Sequence, residues 1–364
     1  MGPLKGLRII EIAAIGPAPM AAMLLADQGA EVIRIDRPPA AAAQDLFAKE
    51  TRFDVVSRNR KSVILDLKQR EGVAKLLELL RDADGLLEGM RPGVAERLGF
   101  GPEVCLAANP RLVYGRMTGW GQDGTLAPAA GHDINYIAIA GVLHAVGRRG
   151  DKPLPPLNLV GDFGGGALFL AFGMMCALWE RERSGKGQVV DAAMVDGAAF
   201  LMAPFFGMHA AGIWSNRRGE NLLDGGCPFY DTYETKDGRY LAVGALEAKF
   251  FAELAGRIGL EADFVARQND RAIWPEMRAR LAAIFAARSR DEWAKLLEGT
   301  DCCVTAVPDL DEAPHHAHNA SRGVFIEVEG VPQPAPAPRF SRSRAAMPSA
   351  PPEIGANDRE ILKR

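Results

Sequence analysis

The chain has 364 residues, 48% of them hydrophobic and 24% charged, which is enough for two globular domains of ordinary soluble composition. The formal net charge of −3 argues against binding to nucleic acid or to an anionic membrane surface, so any anionic ligand must be held by local arginines. Five cysteines without C-x-x-C spacing indicate reduced thiols, and no export signal is visible, so a cytoplasmic protein is expected.

The first third of the chain alternates short apolar runs with helical patterns. Strands are predicted at Leu7–Ile12, Glu31–Asp36, Ser62–Leu67, Gly85–Glu88 and Arg111–Met117. Helices are predicted at Ala18–Gln28, Gln69–Leu80 and Glu103–Ala108. This alternation favours an α/β fold with a Rossmann-like, doubly wound parallel sheet.

The pattern changes towards the middle of the chain. The apolar run Phe163–Trp179 contains four glycines and is shorter than the ~20 residues that span a bilayer, so it is interpreted as a buried helix. After Pro228 a hairpin and then amphipathic helices predict a smaller α+β domain at residues 226–329. The proline-rich segment Gly330–Pro352 is interpreted as a linker. The large domain then comprises residues 1–225, completed by residues 330–364.

A strand, a glycine turn, a helix and a second strand ending in Asp36 suggest dinucleotide binding. The expected G-x-G-x-x-G fingerprint, however, is replaced by Gly16-Pro17-Ala18-Pro19. Two prolines remove backbone donors where a pyrophosphate needs them. The topology is therefore expected without a nicotinamide cofactor.

Two segments carry candidate chemistry, at residues 131–136 and 157–166. The first places His132 beside a turn, and the second places Asp162 just before three consecutive glycines. Taken alone, such a histidine is usually structural or solvated, and such an aspartate is usually a helix N-cap. The wider sequence context decides between these interpretations and a catalytic role.

That context resembles the α-methylacyl-CoA racemases of the type III CoA-transferase superfamily over nearly the whole chain. The shared stretches occur in order and with matching spacing: Arg116–Gln122, Gly131–Tyr136, Pro156–Asp162, Gly185–Val189, Pro228–Tyr230, Asp237-Gly238, Ala242–Ala245, Trp274–Glu276 and the segment around His315. The resemblance implies interlocked homodimers and a reaction of fatty acid metabolism that interconverts the two enantiomers of a 2-methylacyl-CoA.

The resemblance makes His132 and Asp162 the acid/base pair, one on each side of the α-carbon. These residue types suit the task, because histidine titrates nearest neutrality and a buried carboxyl can be held protonated. Asp133 and Glu247 are expected to orient His132 or its surroundings, although solvated or capping roles fit them equally well. The helix start expected at Asp162–Gly166 is predicted to supply amides that stabilise the enolate oxygen.

By the same resemblance, CoA is part of the substrate, and no separate cofactor is expected. The implied contacts with CoA are Arg37, Leu65, Asp66, Leu67, Lys68, Gly89, Met90, Arg91, Arg97, Gly131, His132, Asp133, Ile134, Asn135 and Tyr136. The guanidinium group of arginine matches the geometry of a phosphate, although each of these arginines, considered alone, fits the description of an ordinary surface charge. No metal is expected, because His315-His316-Ala317-His318 lacks a completing ligand pattern.

Two alternatives remain open. In a CoA-transferase of the same superfamily the aspartate at the position of Asp162 is the nucleophile. Such enzymes typically have tyrosine where this chain has His132, and a Gln-Ala pair where it has Ile137-Ala138. A non-catalytic acyl-CoA-binding module would bind CoA without exchanging the α-proton. The chain also has Ala248-Lys249 where relatives usually have Pro-Gln, which bears on substrate preference.

Overall fold

The computed structural model describes residues 2–38 and 50–362. Residues 1, 39–49 and 363–364, which belong to the predicted large domain, lie outside the described residues. The chain divides into two compact units: the first comprises residues 1–142, 156–203 and 320–364, and the second comprises residues 143–155 and 204–319. The second unit thus includes residues 204–225, which the sequence assigns to the large domain.

A six-stranded parallel sheet forms the centre of the first unit. Its strands are β1 (Arg8–Ile12), β2 (Glu31–Asp36), β3 (Arg60–Ile64), β4 (Gly85–Glu88), β5 (Val113–Thr118) and β6 (Val189–Ala193). The order β3-β2-β1-β4-β5-β6 is that of a doubly wound sheet, so the predicted fold class is confirmed. Neighbouring residues alternate between two hydrophobic clusters, as Ile9 and Ile10 do on β1, because successive strand side chains point to opposite faces.

Helices cover both faces of this sheet. They are α1 (Pro17–Asp27), α2 (Arg70–Leu80), α3 (Val94–Leu98), α4 (Pro102–Ala108), α5 (Asp133–Ile139), α7 (Leu168–Ser184), α8 (Met194–Leu201) and, near the C-terminus, α15 (Asp358–Ile361); α6 (Val142–Ala145) belongs mostly to the second unit. Most of the predicted elements are found within a few residues of their expected bounds. Strand β3 begins two residues earlier than predicted, and helix α8 was not predicted.

A π-helix, Leu159–Ala167, leads directly into α7. The glycines of residues 161–166 therefore lie inside a continuous helix. Within the described residues, this stretch, Leu159–Ser184, is long and apolar enough to cross a bilayer by composition, and 33% of its most apolar window is buried in the chain. Leu170 and Met174 are buried, whereas Phe172 and Trp179 are 68% and 69% exposed. The prediction of a buried helix is thus wrong for one face.

The second unit has its own core around an antiparallel sheet. Its strands are β7 (Tyr230–Glu234), β8 (Tyr240–Gly244) and β9 (Val304–Ala306), in that order. Its helices are α9 (Ala203–Ala210), α10 (Ala248–Ile258), α11 (Ala262–Ala266), α12 (Trp274–Phe285), α13 (Arg290–Leu297) and α14 (Ala317–Arg322); Ala203 and the last three residues of α14 are assigned to the first unit. The predicted hairpin and the helical stretch that follows it are confirmed as an α+β arrangement.

The segment predicted as a linker contains regular structure. Strands β10 (Phe325–Val328) and β11 (Val331–Pro334) form an antiparallel hairpin in the first unit. Arg58 is buried and donates to the side chain of Gln333 at 2.8 Å and to the carbonyl of Pro334 at 2.7 Å. These partners are some 275 positions apart, so the contact leaves no signal in a short stretch of sequence. The local pattern shows mainly prolines, which are unusual inside a strand, and β11 was therefore not predicted.

Candidate active site

One cavity of the first unit lies where the strand order reverses. Strands β1 and β4 are adjacent in the sheet, and the loops after their carboxyl ends, residues 15–18 and 89–92, line a cavity of about 490 Å³. In open α/β sheets this switch point is where ligands bind. The volume is in the range of small-molecule sites.

Helix α1 begins in this cavity without the donors of a pyrophosphate site. Gly16 is its N-cap residue and Pro17 its first residue, and Pro19 lies in the same turn. Asp36, at the end of β2, accepts a hydrogen bond from Ser62 at 2.6 Å and pairs with Arg34 at 3.0 Å. The carboxylate that would bind a ribose in a dinucleotide site is thus engaged within the protein.

A second cavity of about 430 Å³ lies beside the first. It is lined by Arg37 and by all four residues of the turn Leu65–Lys68, which the resemblance assigns to CoA. Met90 lines both cavities. The predicted CoA residues thus fall into two adjoining spaces, and Gly89, Arg91, Gly131, His132 and Tyr136 line the larger one.

His132 is exposed at the N-cap of α5, at the edge of the larger cavity. Its backbone N–H donates to the side-chain oxygen of Asn135 at 3.1 Å. The hydroxyl of Tyr136 donates to the carbonyl of Gly131, the residue before His132. The first turn of α5 therefore fixes the backbone from which the imidazole extends into the cavity.

Asp162 is half-buried and lines the same cavity as His132. Burial raises the pKa of its carboxyl, and the nearby negative charge of Asp133 raises it further. Asn158 opposes this effect, because its side-chain N–H donates to the Oδ2 of Asp162 at 3.0 Å and favours the ionised form. Asp162 is thus partly buried beside a second carboxylate, an environment that favours the protonated carboxyl expected from the sequence.

Asp133 is buried beneath the cavity and contacts Asp162. Its Oδ1 accepts the backbone N–H of Asp162 at 2.7 Å, and its Oδ2 has no hydrogen-bond partner among the described residues. Gly161 makes this contact possible, since a Cβ there would lie 2.4 Å from the Oδ1 of Asp133. Asp133 therefore anchors the backbone of Asp162, and its predicted role in orienting His132 stays a prediction.

The predicted oxyanion site at Asp162–Gly166 is wrong in its premise. The helix begins at Leu159, so Asp162 lies at the end of its first turn and the three glycines that follow Phe163 lie inside the helix. The N–H of Asp162 is taken by Asp133, and that of Phe163 donates to the carbonyl of Asn158 at 3.3 Å.

Some predicted residues lie outside the two cavities. Arg97 lies on α3, one residue before Leu98 of the smaller cavity, and Ile134 and Asn135 lie in the first turn of α5. Glu247 is an exposed N-cap residue of α10 in the second unit. Its predicted role near His132 stays a prediction.

Sequence reasoning missed two residues that border Asp162. Asn158 precedes Asp162 by four positions, and this i, i+4 spacing on a helical stretch was the available signal. Gly16 has a φ of +73°, and a Cβ on it would lie 3.2 Å from the Oδ2 of Asp162. This glycine was assigned only to a turn, although it leaves space beside the carboxylate.

Among the described residues, no group of three or more His, Cys, Asp and Glu side chains is placed to hold a metal ion. Of the three clustered histidines, His316 pairs with Glu298 at 3.3 Å. The larger cavity thus offers an imidazole and a carboxyl, with Met90, Met117 and Met194 as apolar lining. Such a site is suited to moving protons on a mainly apolar substrate.

Comparisons with known proteins show what the chain is similar to. The sequence profile described as CoA-transferase family III matches residues 4–358. The chain is 45% identical to α-methylacyl-CoA racemase of Mus musculus and 44% identical to that of Homo sapiens, in each case over 99% of this chain and 92% of the relative. A crystal structure of a hypothetical protein from Mycobacterium tuberculosis superposes with a TM-score of 0.83 at 28% identity, covering 100% of this chain and 99% of that one.

Proposed function

The chain belongs to CoA-transferase family III, and on that premise we propose that it is a racemase of 2-methylacyl-CoA thioesters. The observation that carries the proposal is that His132 and Asp162 line one cavity at the switch point of the sheet. The adjoining cavity with Arg37 and Lys68 accommodates the phosphate-bearing end of CoA, and the chain of CoA passes Met90.

The reaction needs only a proton transfer. One base removes the α-proton, and the electron pair of the C–H bond moves into the thioester to form an enolate. The other group, already protonated, returns a proton to the opposite face, and the two groups exchange roles in the reverse direction. The burial that raises the pKa of Asp162 supports this role, because a carboxyl must spend part of each cycle protonated. No further cofactor is required.

The proposal predicts α-deuterium uptake without any acceptor acid. A single enantiomer of a 2-methylacyl-CoA, incubated in D₂O, should gain deuterium and lose optical purity. Each of the variants His132→Ala and Asp162→Ala should be slower by roughly 10²–10⁴-fold, the usual contribution of general acid–base catalysis. The exposed residues His318 and Asp123 offer matched controls, and their alanine variants should exchange at the wild-type rate.

The alternatives give different results in the same assay. Turnover only after addition of a free carboxylic acid would identify a transferase with Asp162 as nucleophile. CoA binding without any exchange would identify a binding module. Wild-type exchange in both alanine variants would disprove the assignment of the two bases.

The active protein is proposed to be a homodimer. Leu168, Phe172 and Trp179 form one exposed stripe of α7, and Phe200 and Leu201 of α8 are also exposed. A soluble monomer rarely exposes a contiguous apolar surface of this kind. A second copy of the chain would cover it, as the relationship to the racemases implies.

A further inference from the structure

Glu88 is a buried carboxylate that the proposed proton transfer does not use. It is the last residue of β4 and is 0% exposed. Its Oε2 accepts the backbone N–H of Met90 at 2.6 Å, and its Oε1 accepts the Nε–H of Arg116 at 3.0 Å. Burying a carboxylate is costly unless it is paired, and both of its oxygens are paired here.

The loop that Glu88 holds is the one shared by both cavities. Met90 lines both cavities, and Arg91 lines the larger one. The opposite side of this loop is closely packed, since a Cβ on Gly89 would lie 3.3 Å from the Cβ of Ala14 and 3.6 Å from that of Ala18. The position of Met90 is thus set by Glu88 on one side and by the start of α1 on the other.

We infer that Glu88 is a positioning residue for CoA, which holds Met90 where the CoA chain passes from the smaller cavity to the larger. The inference rests on the proposed function only in taking a CoA compound as the ligand. Glu88 lines neither cavity, so it acts through the loop and not by touching the substrate.

The charged and titratable groups around Glu88 come from two elements. Arg116 and Tyr114 lie on β5, and Glu96 on α3 pairs with Arg116 at 2.8 Å. Burial raises the pKa of Glu88 to about 6, although the Met90 amide and Arg116 oppose the increase. The charge that strengthens the bond to Met90 is therefore present above pH 6 and lost as the pH falls through 6.

The test is the pH dependence of CoA binding, which needs no turnover. Binding of 3′-dephospho-CoA is measured by calorimetry from pH 7.5 to 5, because this probe lacks the phosphate monoester whose second pKa is also about 6. The wild-type affinity should weaken about tenfold below pH 6, as expected for the loss of one charge-assisted hydrogen bond. Glu88→Gln should bind about tenfold more weakly at pH 7.5, and its affinity should change less with pH than that of the wild type.

Glu96→Gln is the matched control, because Glu96 binds Arg116 without contacting Met90 and should keep the wild-type affinity at pH 7.5. Because the charge of Glu96 raises the pKa of Glu88, the loss of affinity should move to lower pH in this variant. Glu88→Asp retains the charge but shortens the reach to Met90, so it should weaken binding at all pH values even if Glu88→Gln fails to fold. A flat wild-type profile, or a Glu88→Gln profile that matches the wild type, would overturn the inference. Either result would leave the deuterium exchange of the proposed racemase unaffected.

Discussion

At the scale of single residues, the fold gives the two candidate bases different surroundings. His132 is exposed at a helix N-cap, whereas Asp162 is half-buried with a second carboxylate beside it. Pairs of titratable groups in contrasting environments are typical of acid–base sites. The hydrogen bond from Asn158 limits the rise in the pKa of Asp162 that burial causes, because it stabilises the ionised form.

Replacing Asn158 by alanine should raise the pKa of Asp162 further. Asp162 acts as a base only when ionised, so the acid limb of the kcat/KM profile should move to higher pH for the enantiomer that Asp162 deprotonates. On the acid limb the rate in that direction should fall about tenfold or more, from the loss of a hydrogen bond to a charged group worth about 1.5–3 kcal/mol. Racemisation of both enantiomers over a range of pH is the measurement.

Asn135→Ala is the matched control for this prediction. Asn135 accepts the backbone N–H of His132 and, unlike Asn158, does not donate to the carboxyl of Asp162, so the acid limb should stay in place. An unchanged acid limb in both directions for Asn158→Ala, or a move to lower pH, would contradict the account of Asp162.

At the scale of elements, the glycines after Asp162 are explained by a close contact between helices. A Cβ on Gly197 of α8 would lie 1.9 Å from the carbonyl oxygen of Gly165 in the π-helix. A Cβ on Gly165 would lie 2.6 Å from the backbone nitrogen of Ala198. The sequence pattern assigned these glycines to a helix start, because a contact between distant backbones leaves no local signal.

Gly197→Ala should separate the π-helix from α8 and displace Asp162. Overpacking of a tight contact typically costs about 1–3 kcal/mol, so the midpoint of thermal unfolding should fall and racemase activity with it. Gly256→Ala is the control: Gly256 lies on α10 with open space around its Cβ position, and its replacement should stabilise by about 0.5–1 kcal/mol. If Gly197→Ala were as stable and active as the wild type, the contact would not position Asp162.

At the scale of the whole molecule, the sequence predicted the features that have a local cause. The alternation of apolar strands with helices predicted the parallel sheet. The motifs around His132 and Asp162 identified two residues that line the same cavity in the structure. The contacts that were missed join distant parts of the chain. Arg58, for example, bonds Asp27 at 2.5 Å and Gln333 at 2.8 Å, and no short window of sequence contains all three residues.

The exposed stripe of α7 likewise has no explanation in the sequence of a single chain, and it leads to a prediction about assembly. Phe172→Glu places a charge in the middle of the surface that a second copy is proposed to cover. Burying an unpaired charge there would cost several kcal/mol, so the dimer dissociation constant should rise at least 100-fold. The mass in solution, measured by sedimentation equilibrium, should shift towards a monomer of 39.2 kDa.

Val104→Glu makes the same change at an exposed valine of α4, away from α7 and α8, and should keep the wild-type mass. If Phe172→Glu retained the dimer mass at micromolar concentration, the stripe would not be the dimer contact. A wild-type protein that sedimented as a monomer would disprove the homodimer itself.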